Sequence, residues 1–172
     1  MTKDNTLDTT LEQHFSIAEV SDGQFFAEEI FRRKLGGKVP DYGRHVIAFY
    51  KHDWTHITPL GYQHVLPHQG VGLCGGGSVD GRAFARIPDV HCQQIRNIGG
   101  VLYQLLTYVF TSMADDYSAF FGYCGDKRAE EVDLRAGFVP THHSRLLVNF
   151  HRELCVNDQQ RLTEMVIQLG PF

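Results

Sequence analysis

The residues best equipped for chemistry in this chain are Arg96-Asn97-Ile98-Gly99-Gly100-Val101, which stand where a strongly apolar helical repeat begins. The first backbone N–H groups of a helix have no carbonyl to bond, and the aligned peptide dipoles leave a partial positive charge there. Two glycines at that point let an anion approach the backbone, and an arginine beside them adds a charge-assisted hydrogen bond. The pattern suits a phosphate group; the same glycines would also serve simply to open a helix. A second informative stretch lies one strand later, Asp126-Lys127-Arg128-Ala129-Glu130-Glu131-Val132-Asp133-Leu134-Arg135-Ala136-Gly137-Phe138.

Taken together, the two stretches resemble the GNAT superfamily of acyl-CoA-dependent N-acyltransferases. That family shows R/Q-x-x-G-x-G/A at the opening of a central helix and N-x-x-A-x-x-L-Y-x-K-x-G-F one strand later. Arg96 and Gly99 match the first pattern, with Val101 in place of its last small residue. Ala129, Gly137 and Phe138 match the second, Val132 and Arg135 are conservative variants, and Asp126 replaces the asparagine. The resemblance implies acetyl-CoA or coenzyme A as cofactor and an amine as acceptor. It implies that the N–H groups of Asn97, Ile98, Gly99, Gly100 and Val101 hold the pyrophosphate with support from Arg96. Backbone near Ser78, Val79 and Asp80 would run beside the pantetheine arm, and Asp126 would contact the cofactor.

The chain departs from the family where the tyrosine that protonates the departing thiolate is replaced by Asp133. An aspartate of ordinary pKa, ~3.9, is ionised at neutral pH and cannot donate a proton unless burial raises that value. Asp133 thus has two readings, a solvated helix residue or a shifted acid. Tyr123 is the other candidate proton donor, or a core tyrosine. His91, His142 and Asp80 are candidate bases only as residues of loops near the expected cleft. Cys124, with nothing in the sequence placed to activate it, reads as a small buried hydrophobe. Loss of the tyrosine keeps a second function open, a CoA-binding module without catalysis, acting as a sensor or interaction domain.

Around these stretches the pattern predicts the order β-α-β-β-β-α-β-α-β-α. Residues 1–13 are polar and aperiodic, a flexible tail, and residues 14–172 form a single domain. A strand over 14–20 leads to a helix that Ser21 and Gln24 would open as a capping box and Gly36-Gly37 would close. Strands follow over 45–52 and 55–66, the latter made irregular by Pro59 and Gly61. Val71–Val79, with four glycines, is read either as a bulged strand or as a loop. Asp80–Ile98 is a long polar connection interrupted by Pro88. The strong helix carries Val101, Leu102, Leu105, Leu106, Val109, Phe110 and Met113 at helical spacing. Residues 119–124 are a short buried strand, 126–136 a helix, and 144–152 a strand with Leu146, Val148 and Phe150 on one face. A last helix carries Leu162, Met165, Val166 and Leu169, either packed on the sheet or forming a homodimer face. The result is an α/β fold: a mixed, largely antiparallel sheet with helices on both faces and at least one parallel pair through a right-handed crossover.

Composition sets the outer bounds. The sequence has 172 residues, 42% of them hydrophobic, enough to close a core. A net charge of −4 supplies no broad basic field for nucleic acid. No apolar run approaches the ~20 residues a membrane span needs, and the N-terminus lacks a signal-peptide core. The four cysteines, Cys74, Cys92, Cys124 and Cys155, are scattered, as expected of free thiols in a reducing, cytoplasmic setting. Of the ten histidines His142 and His143 are adjacent and the others fall singly between aromatic residues, so surface or core histidines are expected rather than a metal cluster.

Overall fold

The computed structural model describes residues 10–172. Residues 1–9, most of the expected tail, lie outside it. The rest of that tail departs from expectation: Leu11–Gln13 form a 3-10 turn, and Leu11 packs on the core. One seven-stranded sheet organises the chain, in the order β1-β2-β3-β4-β5-β7-β6. Its strands are β1 (Phe15–Val20), β2 (Arg44–Lys51), β3 (Ile57–His68), β4 (Val71–Val79), β5 (Phe120–Tyr123), β6 (Val139–Pro140) and β7 (Leu146–Asn149). All pairings are antiparallel except β4–β5, which is parallel and joined by a helical crossover. The sheet is therefore mixed and largely antiparallel, as the pattern predicted.

Helices cover both faces, and strand alternation assigns the core residues to each. On one face Val46, Ala48, Tyr50, Cys74, Phe120 and Leu147 meet α2 (Asp89–Asn97), α3 (Val101–Ser112) and α4 (Lys127–Ala136). On the other, Ile47, Phe49 and Tyr62 meet α1 (Gly23–Leu35), while Leu73, Phe121 and Val148 meet α5 (Val156–Leu169). Leu162 and Val166 of α5 are buried on the sheet, whereas Leu169 remains half exposed.

Three local expectations are corrected. Helix α1 is capped by Asp22, whose Oδ1 accepts from Phe25 N at 2.8 Å, and not by Ser21 with Gln24. An aspartate one residue on offers the same oxygen with a negative charge, so it takes the helix start. The 80–98 connection contains a 3-10 turn, Ala83–Arg86, and the whole of α2. Pro88, read as an interruption, is the residue before the first turn of α2, where its missing N–H costs nothing. Strand β6, two residues long, was not foreseen.

The feature that matters most for function is in β4. Tyr62 pairs with Ser78 and His64 with Gly75, so Gln63 faces two residues, Gly76 and Gly77. This is a bulge, and Gly76 sits at φ 63°, in the left-handed region. Gln63, only 2% exposed, holds it: Nε2 donates to the carbonyls of His64 (2.9 Å) and Gly75 (3.0 Å). A Cβ at Gly77 would fall 2.7 Å from Gln63 Oε1, so the glycine leaves room for the strut.

Gly76→Ala should lower stability by about 1–3 kcal/mol. A left-handed non-glycine residue costs ~1–2 kcal/mol, and the added Cβ would press on the Phe31 ring. The check is urea unfolding, with a lower midpoint and an unchanged slope; an unaltered midpoint would mean the bulge relaxes freely.

Candidate functional site

The bulge bends β4 away from β5. The two strands pair only where Gly72, Leu73 and Cys74 face Phe120, Phe121 and Gly122. Beyond Cys74, β4 stays with β3 as far as Val79; beyond Gly122, β5 stays with β7. A gap opens in the sheet between Gly75 and Tyr123. Asp80 N–H donates to Leu60 C=O at 2.8 Å, which sets the alternation along β4. Ser78 exchanges its peptide bonds with Tyr62, and Val79 turns its N–H and C=O toward the gap. Of the three β4 residues singled out, Val79 thus offers backbone groups. Asp80 is engaged on both sides, its N–H by Leu60 and its carboxylate by Arg33 Nη2 at 2.6 Å. Ser78 presents a buried hydroxyl with no hydrogen-bond partner among the described residues.

On the α3 side, the glycines lie at a junction between two helices. Arg96 and Asn97 end α2, and both are exposed. The N–H groups of Ile98, Gly99 and Gly100 bond back to the carbonyls of Gln94, Arg96 and Ile95 at 2.9–3.1 Å. The N–H groups without an intrahelical acceptor are those of Val101, Leu102 and Tyr103, at the start of α3. Of the five N–H groups expected to face a phosphate, Val101 is the one so left, and two unforeseen neighbours join it. Gly99 (φ 105°) and Gly100 (φ 90°) make the turn. A Cβ on Gly99 would fall 2.5 Å from the Tyr103 ring. Arg135, from α4, donates to Gly99 C=O at 3.2 Å and stands 5.5 Å over the Tyr103 ring, tying the second motif to the first.

Asp126 caps α4: its Oδ1 accepts from Arg128 and Ala129 N–H, both at 2.9 Å. Two turns on, Asp133 is half-buried beneath α4 rather than solvated, beside the thiol of Cys124. Burial pushes its carboxyl up to about 6; the hydrogen bond with Cys124 opposes this, and Asp126 and Glu130 add to it. Burial also raises the Cys124 thiol, to about 11, and raises that of Cys74, with Asp133 contributing in both cases. Cys74 is paired with Gly122 at the last rung before the gap, so this carboxyl–thiol group lies at the apex on the α4 face. A thiol held that high is a poor nucleophile, in keeping with Cys124 as a buried hydrophobe. A cleft of about 280 Å³ opens at the end of β5, lined by Cys124, Asp126, Lys127, Glu130 and Arg145 among others.

Tyr123 faces the opposite side of the sheet. Its ring packs against Phe172 (5.2 Å between centroids) and His143 (6.0 Å), and its hydroxyl is buried with no partner among the described residues. Tyr123 and Asp133 therefore flank the gap from opposite faces. The three candidate bases are scattered. His91 is buried in α2 and hydrogen-bonded to Tyr50 at 2.6 Å; it does not lie in a loop. His142 pairs with Glu164 at 3.1 Å on the surface, and Asp80 is held by Arg33. Two further histidines, His45 and His64, are buried, bonded to Tyr62 Oη and Tyr42 C=O, and burial lowers both pKa values. Gln63, Cys74 and Phe172 went unforeseen. A buried glutamine opposite a glycine run was the one available signal; the other two depend on long-range contact.

No family model and no curated protein matches the sequence. Among solved structures, N-acetylglutamate synthase from Neisseria gonorrhoeae, complexed with coenzyme A and L-arginine, superposes with a TM-score of 0.54 at 16% identity. The match covers 81% of this chain and 34% of that one. A protein assigned as an acetyltransferase from Pyrococcus horikoshii gives 0.52 at 13% identity, over 75% of this chain and 44% of that one. The chain thus spans less than half the length of each. At these identities the likeness is one of fold, and the fold is that of the GNAT superfamily.

Asp133→Asn provides a pH test of the buried carboxyl. Its pKa is raised on folding, so the native state holds the proton longer than the unfolded chain. The destabilisation grows as pH rises from ~4, the ordinary carboxyl range, to about 6, and is complete above that. Asp133→Asn should therefore melt higher than wild type at pH 7–8, with the difference vanishing below pH ~4. Parallel melting curves across that range would show the carboxyl to be solvated.

Proposed function

We propose that this chain binds acetyl-CoA and transfers its acetyl group to an amine. The observation that carries the reading is the gap between β4 and β5, bordered by a glycine bulge on one strand and leading to an open helix N-terminus on α3. Neighbours of the same fold include one solved with coenzyme A, which supports the same cofactor here. The site fits such a group on its own terms. Gly99 and Gly100 keep side chains off the α3 entrance, the Val79 peptide is open, and two hydroxyls bordering the gap, Ser78 and Tyr123, are buried without partners among the described residues. Acetyl-CoA would supply a thioester activated toward amine attack.

The division of labour among the chain's residues follows from their positions. The N–H groups of Val101, Leu102 and Tyr103 face the pyrophosphate, with Arg96 adding charge from the end of α2. The Val79 peptide bonds the pantetheine arm. An N–H on the bulged strand, preorganised by Gln63, donates to the carbonyl oxygen as it gains charge. The amine nitrogen bonds the carbonyl carbon, the carbon–sulfur bond breaks, and the leaving thiolate takes a proton. Tyr123 is the better donor. It stands at the first position of β5 past the paired segment, and its hydroxyl lacks a partner, whereas a carboxyl with a pKa of about 6 is mostly ionised at neutral pH. The amine must lose a proton, and the ring nitrogens and carboxylates singled out for that step are engaged elsewhere. Solvent is the base this reading favours.

A second reading, a CoA-binding module without turnover, is favoured by one observation: the helix position that carries tyrosine in the family carries Asp133, an ionised carboxylate at neutral pH. The two readings share the first of two expected outcomes. With acetyl-CoA at ~100 times its dissociation constant, the native state should gain about 2.7 kcal/mol, read as a thermal shift. Absence of any shift at millimolar acetyl-CoA removes both. Tyr123→Phe should then lower kcat by about 10²-fold at unchanged acetyl-CoA affinity, measured as thiol release with a panel of amines. Tight acetyl-CoA binding without thiol release for any amine leaves the binding module.

A further inference from the structure

The gap has a covered face. Beyond α5 the chain turns at Gly170 (φ 80°) and, through Pro171, brings Phe172 back onto the sheet. Phe172 touches both sides of the opening. Its ring packs on Tyr123, the first residue of β5 past the paired segment. Its backbone lies over Gly75, the first residue of β4 past that segment: a Cβ on Gly75 would fall 3.3 Å from Phe172 O and 3.5 Å from its carbonyl carbon. These contacts place Phe172 across the apex of the gap, on the face opposite Cys74, Cys124 and Asp133. The Tyr123 hydroxyl beside it is buried and has no hydrogen-bond partner among the described residues.

Resting on the acetyl-transfer reading, we propose that Phe172 is the gate of the acceptor side: it covers the thioester from the α5 face, and an amine reaches the carbonyl carbon only when the ring moves. Cofactor and acceptor cannot both enter from the α3–α4 face, because the cofactor fills it. The α5 face is an approach that such a cofactor leaves free, and Phe172 stands there. Gly170 supplies the turn about which the segment swings, and Phe172 is the only one of its three residues with a ring on the sheet. The gate excludes water from a reactive thioester and restricts acceptors to amines able to displace an aromatic ring. It is a specificity-determining element and takes no part in proton transfer.

Hydroxylamine tests this without knowledge of the natural acceptor. Its nitrogen bonds the thioester carbonyl carbon, the carbon–sulfur bond breaks, and a proton passes from nitrogen to sulfur, giving acetohydroxamate and free thiol. With protein in excess over acetyl-CoA, thiol release reports access to the bound thioester. Phe172→Ala should speed release by about tenfold over wild type, the scale expected when a local opening step is removed. Its acetyl-CoA affinity by calorimetry should be unchanged, and Phe172→Trp should restore the wild-type rate. Gly75→Ala, which pushes on the Phe172 backbone from below, should speed release in the same direction. Equal rates for wild type, Phe172→Ala and Gly75→Ala, with acetyl-CoA bound, overturn the gate and leave the acetyl-transfer reading standing. Loss of acetyl-CoA affinity in Phe172→Ala also overturns it, since the ring would then belong to the cofactor site. Failure of wild type to bind acetyl-CoA ends both.

Discussion

A strand that parts from its neighbour inside a sheet uncovers peptide groups, and buried peptide groups must find other partners. Here the parting occurs after Cys74, and Gln63 answers for much of it. One amide from β3 bonds two carbonyls, those of His64 and Gly75, and fixes the bulge that swings β4 aside. The glycines at 75, 76 and 77 follow from that constraint. Gly76 takes a left-handed conformation, Gly77 makes room for the strut, and Gly75 admits the Phe172 backbone. Substituting any one would meet a different neighbour, which is why the run is unbroken. The open peptide of Val79, the end of β5 that β4 leaves unpaired and the approach from α3 all depend on the bulge staying where Gln63 holds it.

The gap has two chemically distinct faces. On the α4 side sit Cys74, Cys124 and Asp133: burial disfavours the ionised form of each, and Asp133 further raises both thiols, while the Cys124 hydrogen bond partly offsets the rise at Asp133. Near neutral pH this face carries at most the Asp133 charge, and its thiols remain protonated. On the α5 side sit Tyr123 and Phe172, an aromatic pair with one orphan hydroxyl. Two arginines stand farther out. Arg135 is fixed between Gly99 C=O and the Tyr103 ring, and Arg96 is exposed at the end of α2, both around the α3 entrance. Basic groups thus gather at the α3 mouth, whereas the cleft at the end of β5 carries both signs, Asp126 and Glu130 beside Lys127 and Arg145.

The sheet, the strong α3 repeat and the β4 irregularity were legible in the sequence because each is a local pattern. Alternation marked the strands, and four glycines in nine residues could not be an ordinary strand. The α1 cap was misplaced by one residue because Ser21 and Asp22 both offer the needed oxygen and only the three-dimensional path chooses between them. Helix α2 escaped notice because its buried residues are His91, Cys92 and Ile95, and neither histidine nor cysteine advertises a core face. That miss altered the site. The pattern places the glycines at the opening of α3 with their N–H groups free, whereas the end of α2 consumes the N–H groups of Ile98, Gly99 and Gly100 and shifts the open set toward Tyr103. The environment of Asp133 could not be read at all, since the side of α4 that meets the sheet is set by Phe138, Ala129 and Ala136 together with α3.

Among the described residues two buried hydroxyls have no hydrogen-bond partner, Ser78 on β4 and Tyr123 on β5. A buried polar group without a partner costs about 1–3 kcal/mol, a large share of the 5–15 kcal/mol that holds a domain together. Both lie on the α1/α5 face, on the two strands that part. An apolar residue of similar shape would remove the cost at either position, as Phe would for Tyr123. The molecule retains instead a hydroxyl on each border of its own opening. Under the acetyl-transfer reading the cost is recovered on binding: the group that fills the gap brings the carbonyl, amide or sulfur atoms these hydroxyls lack. The free protein is then least stable where the ligand is to sit, and the stability gained with acetyl-CoA arises from this deficit as well as from the phosphate contacts at α3.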